Sequence, residues 1–270
     1  MLLKSEVVKR NNVNVIGSGE KTVLLAHGFG CDQNMWRFIV PELSKHYRIV
    51  LFDFVGSGQS DVSQYDIQKY SSLEGYAQDI VDVLDALEFE DVTVVGHSVG
   101  SIIALLACIK RPELFSNVAM VCPSPCFLNL PPDYFGGFAK EDLEELLNLM
   151  DKNYIGWAEY LAPLVMGVNN QSALIGELSD SFCSTDPIVA KNFAKATFFS
   201  DYRGSLKALT HDTLIFQSKH DSLAATTIGE FMDSELPSSS LKVIDAEGHC
   251  LHMTHPNEII NPLIKFITND

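Results

Sequence analysis

The sequence is short of positive charge. Nineteen Lys and Arg stand against 35 Asp and Glu in 270 residues, a formal net charge of −16. Binding to nucleic acid or to an anionic membrane surface draws on clustered cations, so neither is expected as a partner. Long hydrophobic runs are missing too. None approaches the ~18–20 residues of a membrane-spanning helix, and residues 1–10 hold no apolar signal core. Neither a membrane span nor a secretory segment is expected. Cysteines are scattered, as Cys31, Cys108, Cys122, Cys126, Cys183 and Cys250, mostly in apolar stretches. That is not the framework of a small disulfide-stapled domain. Cys122 and Cys126 also lack the second pair that a zinc site needs. The pattern fits reduced thiols in a soluble, cytoplasmic protein. Internal repeats and low-complexity linkers are absent. What remains, 46% hydrophobic residues over one chain, is enough to bury a sizeable core without staples.

Apolar runs of strand length occur at 22–26, 48–52, 92–95, 117–121, 213–217 and 241–244. The opening, 7–16, alternates like a pair of strands around Asn11-Asn12. Helical spacing falls between the runs, at 33–44, at 99–109 and at 257–267. Another helix follows a capping-box pattern, Ser71-Ser72-Leu73-Glu74, with Tyr76, Ile80, Val83, Leu84 and Leu87 on one face. Strands alternating with helices predict an α/β architecture, a mostly parallel sheet with helices on both faces. From 124 to 205 the alternation stops. Helical patterns at 140–151, 154–165, 173–182 and 188–199 predict a four-helix cap inserted into a core of 1–123 and 206–270. Ligands of such sheets sit at the carboxyl ends of the strands, so this cap would roof the site.

The chemistry centres on Gly96-His97-Ser98-Val99-Gly100, set between a strand and a helix. Gly-x-Ser-x-Gly is the pattern of a nucleophile elbow, in which a strained turn lifts the serine out of the sheet. A serine hydroxyl needs a base, and the base needs an orienting acid. Asp221 follows the run 213–217 and His249 follows 241–244, which places both at the edge that carries Ser98. The order Ser, Asp, His is the one expected with this elbow. The alternative place for the acid, after 117–121, reads Cys122-Pro123-Ser124-Pro125 and has no carboxylate. Asp245 and Glu247 lie too close to His249 in sequence to orient it. His252 and His255 are read as structural, His220 as exposed, and His97 as facing away from the nucleophile. The oxyanion would be met by two backbone N–H groups. One is Val99, the residue after the nucleophile. The other is Phe29, in His27-Gly28-Phe29-Gly30 after the run 22–26. Gly56-Ser57-Gly58 lacks the lysine and the strand-turn-helix setting of a phosphate loop. No metal and no cofactor is expected.

Further stretches carry a resemblance. They include His27-Gly28-Phe29-Gly30-Cys31-Asp32-Gln33, Arg111-Pro112-Glu113-Leu114-Phe115, Ser124-Pro125-Cys126-Phe127-Leu128-Asn129, Asn153-Tyr154-Ile155-Gly156-Trp157-Ala158 and Phe199-Ser200-Asp201. With the elbow they cover most of the chain. They resemble the α/β-hydrolases, in particular the group of the bacterial stress regulator RsbQ and the plant karrikin and strigolactone receptors, with RsbQ the nearer. The resemblance implies an eight-stranded sheet, a four-helix cap and an apolar pocket lined by Phe29, Val99, Phe127, Phe138, Trp157, Leu161 and Phe198. It implies hydrolysis of a small hydrophobic ester or lactone without a metal. It also implies a role in stress signalling through a partner, a PAS-containing phosphatase that acts on a general stress sigma factor. A receptor or signal supplier with slow hydrolysis is the alternative, and the acidic residues Glu141, Asp142, Glu144 and Glu145 offer it a docking face. One departure stands out: Ala225 occupies the slot, four residues after the acid, where the family usually has proline.

Overall fold

The computed structural model describes residues 3–268. In chain order these form α1 (Lys4–Arg10), β1 (Asn14–Ile16), β2 (Thr22–Ala26), α2 (Val40–Leu43), β3 (Arg48–Leu51), α3 (Leu73–Leu87), β4 (Val92–His97), α4 (Val99–Lys110) and β5 (Phe115–Val121). A short hairpin, β6 (Asn129–Leu130) and β7 (Tyr134–Phe135), leads into four helices, α5 (Lys140–Lys152), α6 (Tyr154–Met166), α7 (Ser172–Ser184) and α8 (Pro187–Phe198). The sheet then resumes with β8 (Asp212–His220), α9 (Thr226–Glu235), β9 (Ser239–Glu247), α10 (Leu251–Thr254) and α11 (Pro256–Thr268).

Seven strands share one sheet in the order β1-β3-β2-β4-β5-β8-β9. Only β1 runs antiparallel to its neighbour; the other pairs are parallel. Strands β2 and β4 are buried along their whole length, as a sheet covered on both faces requires. Successive side chains of a strand point to opposite faces, and the packing follows that period. Leu24 and Val94 join Ile80, Leu84 and Ile103 on one face. Val23, Leu25 and Val95 join Ile259, Leu263 and the cap on the other. No helix among the described residues is long and apolar enough to cross a membrane.

The sheet has seven strands where the resemblance implies eight, and the difference lies at the start. Residues 7–10, expected to be extended, belong to α1. Their β-branched pattern is overridden by tertiary contacts. Glu6 receives the Leu3 N–H at the helix start (2.8 Å), Val7 is buried, and Arg10 reaches α3, where Asp82 lies 2.9 Å away. The turn at Asn12, with φ of 45°, is as expected. The helix expected over 33–44 is divided. A tight 3-10 turn over Gln33–Trp36 is capped by Asp32, and α2 begins only at Val40, with Pro41 in its first turn. The capping box at 71–74 does not form. Ser71 bonds back to the Gln68 carbonyl, and Ser72, the residue before α3, makes no capping bond. Tyr202 takes the role from across the fold. Its hydroxyl receives the Leu73 N–H at 3.3 Å and donates to Glu74 at 2.9 Å. Helix α9, which has weak apolar periodicity, is an element the sequence pattern does not announce.

Asp79 of α3 ties the N-terminal arm to the body. Its fully buried carboxylate meets Lys69 at 2.7 Å, the Tyr70 hydroxyl at 2.9 Å and Arg10 at 3.3 Å, and also receives the Val55 N–H and the Asn11 amide. Removing one member of a buried ionic group leaves the others desolvated and unpaired, which typically costs ~3–5 kcal/mol. Asp79→Ala is therefore expected to lower the free energy of urea unfolding by an amount in that range, with a correspondingly lower urea midpoint. A midpoint within error of the parent would show that the network contributes nothing.

Candidate active site

The elbow joins β4 to α4 with no intervening loop. Ser98 sits at φ 54°, ψ −125°, a conformation that L-residues seldom adopt. The turn forces the backbone close to its neighbours, and the two glycines follow from that. A Cβ on Gly96 would lie 2.5 Å from the Ser101 backbone, and one on Gly100 would lie 2.4 Å from the His27 carbonyl oxygen. The Ser101 hydroxyl closes the turn by donating to the Gly96 carbonyl (2.8 Å), and Ser98 N–H donates to Val121 in β5 (2.9 Å).

Asp221 directly follows β8, which runs three residues past the expected end at 217, and His249 stands two residues beyond β9. His249 Nδ1 and Asp221 Oδ2 are 2.6 Å apart, with both side chains buried. Since the carboxylate accepts, Nδ1 carries the proton and Nε2 is left to accept. The other carboxylate oxygen, Oδ1, receives the N–H groups of Leu223 (2.8 Å) and Ala224 (3.1 Å), and Gln217 holds the Ala224 carbonyl (2.6 Å). These bonds fix the loop although Ala225 stands where a proline was expected. Asp245 instead pairs with Lys219 at 3.0 Å, Glu247 receives the Asn169 amide at 2.6 Å, and His220 is exposed.

His249 is also held through its main chain. Its N–H donates to Val165 at the end of α6 (2.7 Å), and its carbonyl lies 3.0 Å from His97 Nε2. Asn170 joins the cap to the same loop by donating to both Met166 and Glu247 carbonyls, at 2.7 and 2.9 Å. Gly248, at φ 95°, packs so close that a Cβ would lie 2.1 Å from the Met166 oxygen. The histidine loop is thus built partly on the cap.

Val99 opens α4, where a helix leaves its first N–H groups without internal acceptors. Phe29 lies in the loop after β2, and that loop is set by His27. The ring receives the Phe54 N–H at Nε2 (3.0 Å) and donates from Nδ1 to the Gly28 carbonyl (2.9 Å). The bond accepted at Nε2 requires the neutral ring, and burial lowers the pKa accordingly, against the nearby Asp53 charge.

Ser98 and His249 line one small cavity of about 20 Å³, together with Phe29, Phe127, Leu161 and Phe198 among the expected residues. His249 Nε2 has no hydrogen-bond partner among the described residues and is shielded from solvent. Leu161, Phe198 and Leu223 line both this cavity and an adjoining outer chamber of about 550 Å³ beside α5 and α6, where Phe138 lies with Asp142, Glu145 and Tyr160. Two expected residues line neither space. Trp157 packs behind the wall, against Phe29 (6.0 Å) and Phe182 (5.1 Å), and Val99 points its side chain into the core beneath the elbow. The inner wall also includes Cys31, Val165, Phe182, Thr197, Leu223 and Cys250. Phe182 and Thr197 occupy inward positions on α7 and α8, but the helical period alone does not separate a pocket wall from cap packing.

Behind His249 lies a cluster of rings tilted against one another. His252 sits between Trp36 (4.5 Å) and His97 (4.4 Å), and neither of its ring nitrogens has a partner. Burial pushes the His252 pKa down to about 3, with the His249 and Arg37 charges adding to it. Burial likewise depresses His97, helped by His252 and His249. In the unfolded chain such groups titrate near 6.5. Between the two values the unfolded state binds more protons, so stability is present above pH 6.5 and is lost as pH falls. Each such histidine contributes a slope of up to about 1.4 kcal/mol per pH unit. Urea midpoints are expected to drop from pH 6.5 to 5, and His252→Leu is expected to remove one proton's share of that slope. An unchanged slope in the variant would refute the assignment. A second expectation concerns the elbow. Ser98→Gly should raise stability by roughly 1 kcal/mol, because relief of ~1–3 kcal/mol of strain outweighs the extra entropy glycine loses on folding. A lower melting temperature for that variant would show that the turn stores no strain.

This geometry has counterparts among known proteins. The family model described as alpha/beta hydrolase fold matches residues 21–256. The chain is 39% identical to the karrikin insensitive 2 receptor IA of Petunia hybrida, over 98% of this chain and 97% of that one. It is 33% identical to the strigolactone esterase D14 of Arabidopsis thaliana, over 94% of each. Among solved structures, olei00960, a hydrolase from Oleispira antarctica, superposes with a TM-score of 0.98 at 60% identity, covering 100% of this chain and 98% of that one. The chain belongs to the alpha/beta hydrolase family, among its enzymes of the esterase and hydrolase type.

Proposed function

We propose that the protein is a serine hydrolase in which Ser98 is the nucleophile, His249 the base and Asp221 the orienting acid, acting on a small hydrophobic ester or lactone. The observation that carries this reading is the state of His249. Its Nδ1 is bound to Asp221, while its Nε2 is buried and unpartnered, on a residue that lines the same cavity as Ser98. A base so placed takes the Ser98 proton as the hydroxyl attacks the substrate carbonyl. Asp221 compensates the imidazolium that forms, and the N–H groups of Phe29 and Val99 receive the oxyanion. The protonated His249 then passes its proton to the leaving alkoxide, and water, activated by the same base, releases the acyl group. The reaction calls on no metal or cofactor. The catalytic core comprises 1–123 and 206–270, and 124–205 form the cap.

The two spaces divide the substrate. The short acyl part lies in the inner cavity beside Ser98, and the larger apolar alcohol part extends past Leu161 and Phe198 into the outer chamber. Asp142 and Glu145 at that chamber disfavour anionic substrates, and the protein acts in the cytoplasm.

A second reading is favoured by the names of the relatives. The petunia proteins are called receptors, at 37–39% identity over nearly the whole chain. In that reading hydrolysis is slow and serves a signal passed to a protein partner. An RsbQ-like form of it has a PAS-containing phosphatase as the partner and a general stress sigma factor as the output, with the acidic face of α5 as the contact.

With p-nitrophenyl esters, acetate is expected to exceed octanoate in kcat/KM by at least tenfold, and Ser98→Ala to abolish turnover of both. Turnover that survives Ser98→Ala refutes the hydrolase, and equal use of the two esters refutes the division of the substrate. Fast turnover of a natural ester, with no phenotype in stress induction on deletion, would overturn the signalling form.

A further inference from the structure

Thr197 is the next-to-last residue of α8, and it is 3% exposed. A threonine inside a helix commonly returns its hydroxyl to a carbonyl one turn back. This one does not: Oγ1 is buried and has no hydrogen-bond partner among the described residues. The residue lines the inner cavity with Ser98 and His249, in a wall otherwise formed largely by aromatic rings such as Phe29, Phe127, Phe182 and Phe198. Two other unpaired polar atoms belong to that wall. His249 Nε2 is committed to Ser98 in the reading above. His97 Nδ1 is shut off by the Gly28 backbone, since a Cβ there would lie 2.5 Å from it. Among the described residues, the Thr197 hydroxyl is therefore the one unpaired side-chain oxygen or nitrogen on the cavity wall with no assignment, beside the weakly polar thiols of Cys31 and Cys250.

An unpaired buried hydroxyl typically costs ~1–3 kcal/mol. Apolar pockets use a few such groups to orient what they bind. We propose that Thr197 is a specificity-determining residue that hydrogen-bonds a second oxygen in the acyl part of the substrate, so that the protein selects short acyl groups oxygenated next to the carbonyl carbon. The proposal rests on the hydrolase reading and on its division of the substrate. The outer chamber takes the alcohol part and does not include Thr197, which leaves the acyl part facing the hydroxyl. A site with a polar group to satisfy discriminates against the analogue that lacks the partner more strongly than an apolar wall discriminates by size. Threonine both donates and accepts, so a hydroxyl or an ether oxygen on the acyl group fits equally.

The test uses 4-methylumbelliferyl methoxyacetate and butanoate, whose acyl chains have the same length and differ by O for CH2. The ratio of their kcat/KM values is divided by the ratio of their hydroxide-catalysed rates, which removes the intrinsic reactivity of the oxygenated ester. The corrected ratio is expected to exceed ten in the parent, to fall to about one in Thr197→Val, and to persist in Thr197→Ser, which keeps the hydroxyl. A parent ratio near one, or a ratio that Thr197→Val leaves intact, overturns the proposal. Ser98→Ala on the same esters keeps the two questions apart. Loss of turnover there with an unchanged Thr197→Val ratio refutes Thr197 alone, whereas turnover that survives Ser98→Ala refutes the hydrolase reading beneath it.

Discussion

Everything at the site depends on where the His249 ring is held. The ring is fixed from three directions by segments far apart in the chain. Asp221 takes Nδ1, His97 lies against the carbonyl, and Val165 receives the N–H. Two of these come from the sheet and one from the cap. The first selects the tautomer, so that the free lone pair is on Nε2. The other two hold the His249 main chain, on a residue that lines the same cavity as Ser98. A histidine on a loop needs such support, since loops alone do not hold a side chain to the tolerance that proton transfer demands.

The same economy explains the buried histidines around it. His97 and His252 add no charge, because burial keeps them neutral. They supply flat rings that fill the space behind the base, and in His97 a nitrogen that meets the His249 carbonyl. Apolar side chains would pack as well but would leave that carbonyl unsatisfied. The cluster therefore lowers acid stability in return for a fixed base.

The sheet and the elbow were legible because both follow from local pattern. Buried parallel strands read as continuous apolar runs, and Gly96 and Gly100 mark close backbone approaches that no side chain permits. Asp221 and His249 were legible because they follow such runs in the expected order. The four cap helices were also visible, each within two residues of its observed start. What failed was non-local. Residues 7–10 became helical because Arg10 finds Asp79 and Asp82, and the start of α3 is capped by Tyr202, 129 residues from Leu73. The pocket wall was legible only in part for the same reason. Trp157 and Phe182 are both apolar and both on inward helix faces, yet only the second reaches the cavity, because Trp157 is screened by Phe29 and Phe182 themselves.

The cap and the base share hydrogen bonds, and this links the two functional readings physically. The inner cavity has room for little more than a water molecule, so a larger group fits there only if the walls, α6 among them, give way. The cap cannot move at α6 without straining the Val165–His249 and Asn170–Glu247 bonds that seat the base. On the hydrolase reading proposed above, binding, the position of α6 and the seating of His249 are one coupled equilibrium, in which a ligand shifts the populations by its differential affinity for the arrangements of the walls.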